Sequence, residues 1–303
     1  MHNSKNKKRI FICGGAGFIG QTLTKELLKE GRNINLLIYD KTPPPFKNKN
    51  LSFLKGSILD KKALKRALKK SDIVINLVGS FRKDFYLINV LGSSNLLEVC
   101  KESDIKKIIF ISSEAVYGEY TGKPHIESDC PKPITEYGFS KYMAEKIYKF
   151  YSDKYKIPII ILRLSSTYGP GQKIGIGVLS DSLNSALKKR PLKIHGDGEQ
   201  HRDFLYIDDA VKGIIKSIYY ETKGLEIFNI PGKKSYSLLE LTSLIKKKIG
   251  NKIEIKFLEP RKQDIKRMYS NYSKAKRLLN YEPKVSLREG ITRTIDYYKN
   301  IKS

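Results

Sequence analysis

Three glycines at a spacing of three, Gly14, Gly17 and Gly20, follow the short apolar run Arg9 to Cys13 and lead into a helical pattern from Phe18 to Lys29. A strand that turns through glycines directly into a helix needs them for a tight turn, for close backbone approach to a phosphate, and for close helix–strand packing. The first turn of the helix then presents unpaired N–H groups and the positive end of its dipole to that phosphate. In this strand–turn–helix setting Gly14, Gly17, Phe18, Ile19 and Gly20 are predicted to hold a dinucleotide.

The same alternation continues through the first half. Apolar runs lie at Ile34 to Tyr39, Leu51 to Leu54, Ile73 to Val78, Ile108 to Ile111 and Ile159 to Leu162. Helical patterns at Lys61 to Lys69, Asp84 to Glu102 and Tyr137 to Tyr155 separate several of them. Alternating strands and helices imply parallel pairing through right-handed crossovers. The strands lack polar alternation, as expected when helices cover both faces of the sheet. Beyond Gly169-Pro170-Gly171 the order is less regular, with helices near Gly177 to Lys189 and Ile207 to Glu221 and a turn at Gly196-Asp197-Gly198. The expected fold class is α/β: a doubly wound, Rossmann-like parallel sheet with a smaller mixed α/β C-terminal substrate domain. Residues 1–170 form the cofactor domain, with 204–230 returning to it, and 171–203 and 231–303 form the substrate domain. The site belongs at the carboxyl ends of the strands.

Asp40 stands 20 residues after Gly20, at the end of the second strand. A carboxylate there accepts hydrogen bonds from the adenosine ribose and repels a 2′-phosphate, which favours NAD over NADP. The fifth strand ends in Ser112-Ser113-Glu114-Ala115-Val116-Tyr117-Gly118, bringing hydroxyls to the same edge. Tyr137 and Lys141 lie four apart on a predicted helix and share one face. A phenol has an ordinary pKa near 10, so a nearby ammonium and a cationic nicotinamide ring are needed to make it a base at neutral pH.

The formal net charge is +27. Its lysines are spread along helix surfaces, including Lys61-Lys62 and Lys246-Lys247-Lys248, so a solvated basic surface is expected rather than a nucleic-acid face. Cys13, Cys100 and Cys130 are far apart and without a C-x-x-C pair, which points to a reducing cytoplasm and no metal. No apolar run approaches the roughly 20 residues that span a bilayer, so neither membrane insertion nor export is expected.

With these motifs in order, the chain resembles the extended short-chain dehydrogenase/reductase family, in particular its NAD-dependent nucleotide-sugar epimerase/dehydratase members. The resemblance spans nearly the whole length. It includes Asn89-Val90-Leu91-Gly92, Arg163 to Gly171, Gly196 to Phe204, Asp208-Asp209-Ala210, Phe228-Asn229-Ile230, Arg261 with Asp264, and Ser273 to Lys276. It implies an NAD-dependent 4-epimerase acting on a nucleotide sugar, most simply UDP-glucose and UDP-galactose, and a homodimer formed through the helix that carries Tyr137. Tyr137 would be base and later acid, Lys141 would tune it and hold the nicotinamide ribose, and Ser113 would orient the sugar hydroxyl. Arg202, Arg261 and Ser166 would bind the substrate, with ion pairs to Asp203 or Asp264 as the structural alternative for the arginines.

Several positions depart from the family pattern. In Gly56-Ser57-Ile58-Leu59-Asp60 a serine replaces the first acid, leaving Asp60 for the adenine. Ser166 stands where relatives often carry asparagine, and Arg82 is the substitute for a lysine missing from the segment after the fourth strand. Dehydrating relatives carry a glutamate where this chain has Ala115. Glu114, one residue earlier on an extended strand, would face the other way. A 4-epimerase or a 4-keto-sugar reductase therefore stands ahead of a dehydratase or a non-catalytic binding protein.

Overall fold

The computed structural model describes residues 7–29, 33–69, 71–173, 175–250, 253–261 and 265–300. Seven parallel strands make the main sheet: β1 (Lys8–Cys13), β2 (Ile34–Asp40), β3 (Leu51–Lys55), β4 (Ile73–Asn76), β5 (Lys107–Ser113), β6 (Ile159–Leu164) and β10 (Leu225–Ile230). Their order is β10-β6-β5-β4-β1-β2-β3, so the chain reverses direction across the sheet between β1 and β4. Ligands of such sheets bind at that reversal, outside the carboxyl ends of the strands.

Successive residues of one strand feed two cores. Ile10 and Ile12 pack with Leu23 and Leu27 of α1 (Phe18–Lys29) and Ile214 of α6 (Ile207–Tyr219). Phe11 and Cys13 pack with Leu64 of α2 (Lys61–Ala67), Leu96 and Leu97 of α3 (Gly92–Cys100), and Ala144 and Tyr148 of α4 (Glu136–Tyr155). Burial on both faces is why these strands read as continuous apolar runs.

The remaining elements lie outside the main sheet. They are β7 (Ser166–Tyr168), α5 (Val178–Leu187), β8 (Leu192–His195), β9 (His201–Tyr206), β11 (Ser235–Ser237), α7 (Leu238–Ile249), β12 (Ile255–Leu258), α8 (Ser273–Leu279) and α9 (Leu287–Asn300). Strands β7, β9 and β11 form a three-stranded sheet, and β8 pairs with β12. Tyr168 is packing, edge-on to Phe204 and Tyr206. Among the described residues no helix is long and apolar enough to cross a membrane.

Two expected elements differ. The helix expected over Asp84 to Glu102 is a π-turn, Tyr86–Leu91, running into α3 and ending at Cys100. Inside that turn Asn89 accepts from the Ser80 N–H at 2.9 Å and donates to the Ser80 carbonyl and the Ser140 hydroxyl. A side chain committed to three outside partners accompanies the widened turn. The strand leading to Tyr117 stops at Ser113, whose hydroxyl accepts from the Ala115 N–H at 3.2 Å and starts a 3₁₀ turn over Glu114–Val116.

Candidate active site

Gly14 has a φ of +82°, and a Cβ there would meet the backbone of Val78 at 3.0 Å. A Cβ on Gly20 would lie 2.6 Å from the Gly14 and Gly15 backbone, so α1 can approach β1 this closely only with glycine. The Gly17 N–H donates to the Gly14 carbonyl at 3.2 Å, and α1 begins at the next residue with Phe18 and Ile19 half-buried. Free N–H groups at a helix start beside a side-chain-free turn fit a pyrophosphate.

Asp40, at the end of β2, braces this turn. Its Oδ2 accepts from the Ala16 N–H at 3.0 Å and its Oδ1 from the Lys41 N–H at 2.7 Å. Asp60 caps α2, accepting from the Ala63 N–H at 2.9 Å. The capping role was missed from the sequence, although an acid just before a helical run is its usual signal.

On α4, whose start is capped by Thr135, Tyr137 and Lys141 point into the cleft beside β5. The Tyr137 ring lies edge-on to Phe81 at 6.4 Å and tilted to Phe85 at 6.5 Å. Ser113 lies close enough to the Tyr137 phenol to act on its proton. Burial pushes the Tyr137 phenol up from its ordinary value, and Ser113 opposes that rise. The Lys141 ammonium donates to the Ile111 carbonyl at 2.9 Å and sits 4.8 Å from the Phe110 ring centre. Burial brings Lys141 down to about 8, while the charge of Glu145, one turn further along α4, favours the ammonium.

A separate cavity of about 600 Å³ is lined by Arg82, Ser166, Lys193, Arg202 and Arg261 among others. Of the four residues expected to bind substrate, Ser166, Arg202 and Arg261 line it, and Ser113 does not. Arg202 donates to the His201 and Ile265 carbonyls at 2.9 and 2.6 Å. Asp203 turns to the Gly232 N–H at 2.8 Å and the Ser165 hydroxyl at 3.3 Å. Asp264 lies outside the described residues. Arg82, from the segment that carries Phe81, reaches over to the Gly175 carbonyl. His201 is half-buried with its Nδ1 enclosed and unpartnered among the described residues.

Comparison with known proteins places these features in a family. The model of the NAD dependent epimerase/dehydratase family matches residues 10–230. A putative UDP-glucose 4-epimerase of Methanocaldococcus jannaschii is 36% identical, over 96% of this chain and 98% of that protein. The solved UDP-glucuronic acid 4-epimerase of Bacillus cereus, in complex with UDP-glucuronic acid and NAD, superposes with a TM-score of 0.89 at 32% identity, covering 97% of this chain and 99% of the other. The UDP-glucose 4-epimerase of Thermotoga maritima, solved with UDP-glucose, gives 0.90 at 30% identity, covering 97% and 100%.

Proposed function

The chain belongs to the NAD-dependent epimerase/dehydratase family and is an NAD-dependent enzyme; from that premise we propose that it inverts C4 of a UDP-hexose, interconverting UDP-glucose and UDP-galactose. The observation that carries this reading is that Ser113 and Tyr137 come together closely enough for the serine to act on the phenol while position 115 is alanine. Glu114 is turned away, toward Ser270. One phenol can remove and return one proton, which suits reversible oxidation at a single carbon. Elimination of water next to a ketone needs a further acid or base.

Gly14, Gly17, Phe18, Ile19 and Gly20 would hold the NAD pyrophosphate, Asp40 the adenosine ribose, Asp60 the adenine end, and Tyr137 with Lys141 the nicotinamide ribose. When bound, NAD supplies acceptance and return of a hydride at C4. Ser113 orients the C4 hydroxyl, Tyr137 takes its proton as the alcohol becomes a ketone, and Tyr137 gives the proton back on the return. Phe81 and Phe85 keep water from the ketone. Arg202, Arg261 and Ser166 hold the diphosphate, for which a guanidinium fork is suited. Residues 1–170 with 204–230 serve the cofactor, the rest serve the substrate, and the active form is a homodimer.

A second reading, a UDP-uronate as substrate, is favoured by Arg82 and Lys193, which add two cations to the cavity beyond the two arginines. NAD-loaded protein incubated with UDP-glucose, UDP-galactose, UDP-glucuronate and dTDP- and GDP-sugars, followed by product chromatography, separates the two. Inversion of no UDP-sugar would end the proposal, and stoichiometric consumption of reduced cofactor would make the enzyme a keto-sugar reductase. Tyr137→Phe is expected to abolish turnover and leave NAD bound.

A further inference from the structure

We propose that Glu114 and Asp203 hold one proton between them beneath Arg202, and that this proton sets how firmly Arg202 grips the substrate diphosphate. The inference rests on the reading of Arg202 given above. Both carboxyls are sealed from solvent, with residue exposures of 3% for Glu114 and 0% for Asp203. Ser270 stands between them: its hydroxyl donates to Glu114 Oε2 at 3.4 Å, and its backbone lies close enough to Asp203 to favour the ionised carboxyl. Asp203 Oδ1 accepts from the Gly232 N–H and the Ser165 hydroxyl. After these bonds Glu114 Oε1 and Asp203 Oδ2 remain enclosed and without a partner among the described residues.

Two ionised carboxylates with unmet oxygens in one dry junction are costlier than a pair that keeps a proton. Burial, and then the charge of Asp203, push Glu114 well above the usual carboxylate range, with Arg202 pulling it back. Asp203 is pushed up to about 7 by burial. Arg202 is thus within electrostatic reach of the pair while lining the substrate cavity. With one proton held, the pair balances the guanidinium once. Losing it doubles the negative charge there and opposes a phosphate.

The phenols that feel Asp203 are Tyr236 on β11, Tyr269 beside Ser270, and Tyr281 after α8. Burial raises all three, so they stay neutral over this range. His201, two residues back on β9, and Arg267, bridged to it, flank the pair. Both are retained in the variant below, so they do not account for a difference between it and the unaltered chain.

The test uses NAD-loaded Tyr137→Phe protein, whose binding of UDP-glucose is followed by calorimetry from about pH 6 to about pH 9 in buffers of different ionisation enthalpy. The sugar diphosphate itself does not titrate between these limits. Affinity is expected to fall roughly tenfold as the pair loses its proton, and adding Glu114→Gln should flatten that limb. In the unaltered enzyme the effect falls on KM. Carboxyl ¹³C resonances of NAD-loaded protein are expected to show one proton kept by the pair at neutral pH, which decides the matter even if Glu114→Gln does not fold. Two ionised carboxylates at pH 7, or the same pH dependence with and without Glu114, overturn the proposal and leave the substrate reading intact. A shared proton in protein that binds no UDP-sugar overturns the substrate reading, and the coupling with it.

Discussion

Glu145 and Arg163 close a two-armed ion pair inside the protein, Nε to Oε1 at 3.0 Å and Nη2 to Oε2 at 2.7 Å. It ties α4 to β6. The Ser112 hydroxyl donates to the same carboxylate at 2.6 Å, and Arg163 Nη1 reaches the Tyr117 hydroxyl at 2.8 Å. Since Tyr137, Lys141 and Glu145 follow one another at intervals of four, the pair sets the depth at which α4 presents its first two side chains to the cleft.

Removing one partner of a buried pair strands the other charge, at a cost of roughly 3–5 kcal/mol. Glu145→Ala is expected to lose about that much in urea unfolding, whereas joint replacement by Glu145→Leu and Arg163→Met should recover most of it. If the single variant unfolds at the same urea concentration as the unaltered chain, the pair does not anchor α4.

Lys141 makes the opposite trade. Its ammonium is held to about 8 by burial, below the 10.5 of a free lysine. The unfolded chain therefore binds the proton more tightly, and the folded state carries a penalty of about 3 kcal/mol. That penalty is full below pH 8 and disappears as pH rises toward 10.5. Lys141→Met gives up the hydrogen bond to Ile111, worth about 1 kcal/mol. The cofactor-free variant is expected to be about 2 kcal/mol more stable at neutral pH, with the gain gone at alkaline pH, and inactive. Equal stability of the two proteins at neutral pH would contradict this.

How much of this was legible depended on how local the cause was. The glycine turn and the Tyr137–Lys141 spacing arise within a few residues, and Asp40 at the end of the second apolar run, so spacing alone exposes them. Glu114 does turn away, but not by strand parity: the strand ends at Ser113, where a side-chain cap turns the chain. The π-turn at Tyr86–Leu91 is tied to Ser80 and Ser140, partners that no local pattern predicts. Glu145 and Arg163 did leave a signal: an acid one turn beyond Lys141, and a lone arginine in the apolar run of β6. Only the fold shows that they meet.

Asp40 carries two separable tasks. It supports the glycine turn through Ala16, and it is proposed to favour a ribose without a 2′-phosphate. Asp40→Ala should weaken NAD more than NADP and narrow the ratio of their dissociation constants by about tenfold, equivalent to about 1.4 kcal/mol. Asp40→Asn, which keeps an acceptor for the Ala16 N–H, isolates the charge effect. An unchanged ratio in both variants would leave Asp40 with the turn alone.

The proposed homodimer has a surface to match. Tyr86, Leu87 and Leu91, along the π-turn, are 43%, 44% and 48% exposed, and Phe139 and Phe150 on α4 are 46% and 54% exposed. Tyr86 and Phe139 are in edge contact at 6.4 Å, which joins the two groups, and Phe150 follows Phe139 on the same helical face three turns later. Large apolar side chains gathered this way mark a surface that another protein covers. Leu91→Asp together with Phe150→Asp would place two charges in the dimer seam while disturbing no core. Each change should alter monomer stability by less than about 0.5 kcal/mol. Sedimentation velocity at micromolar concentration is expected to show a dimer for the unaltered chain and a monomer for the double variant. An unaltered chain that sediments as a monomer would remove α4 as an interface.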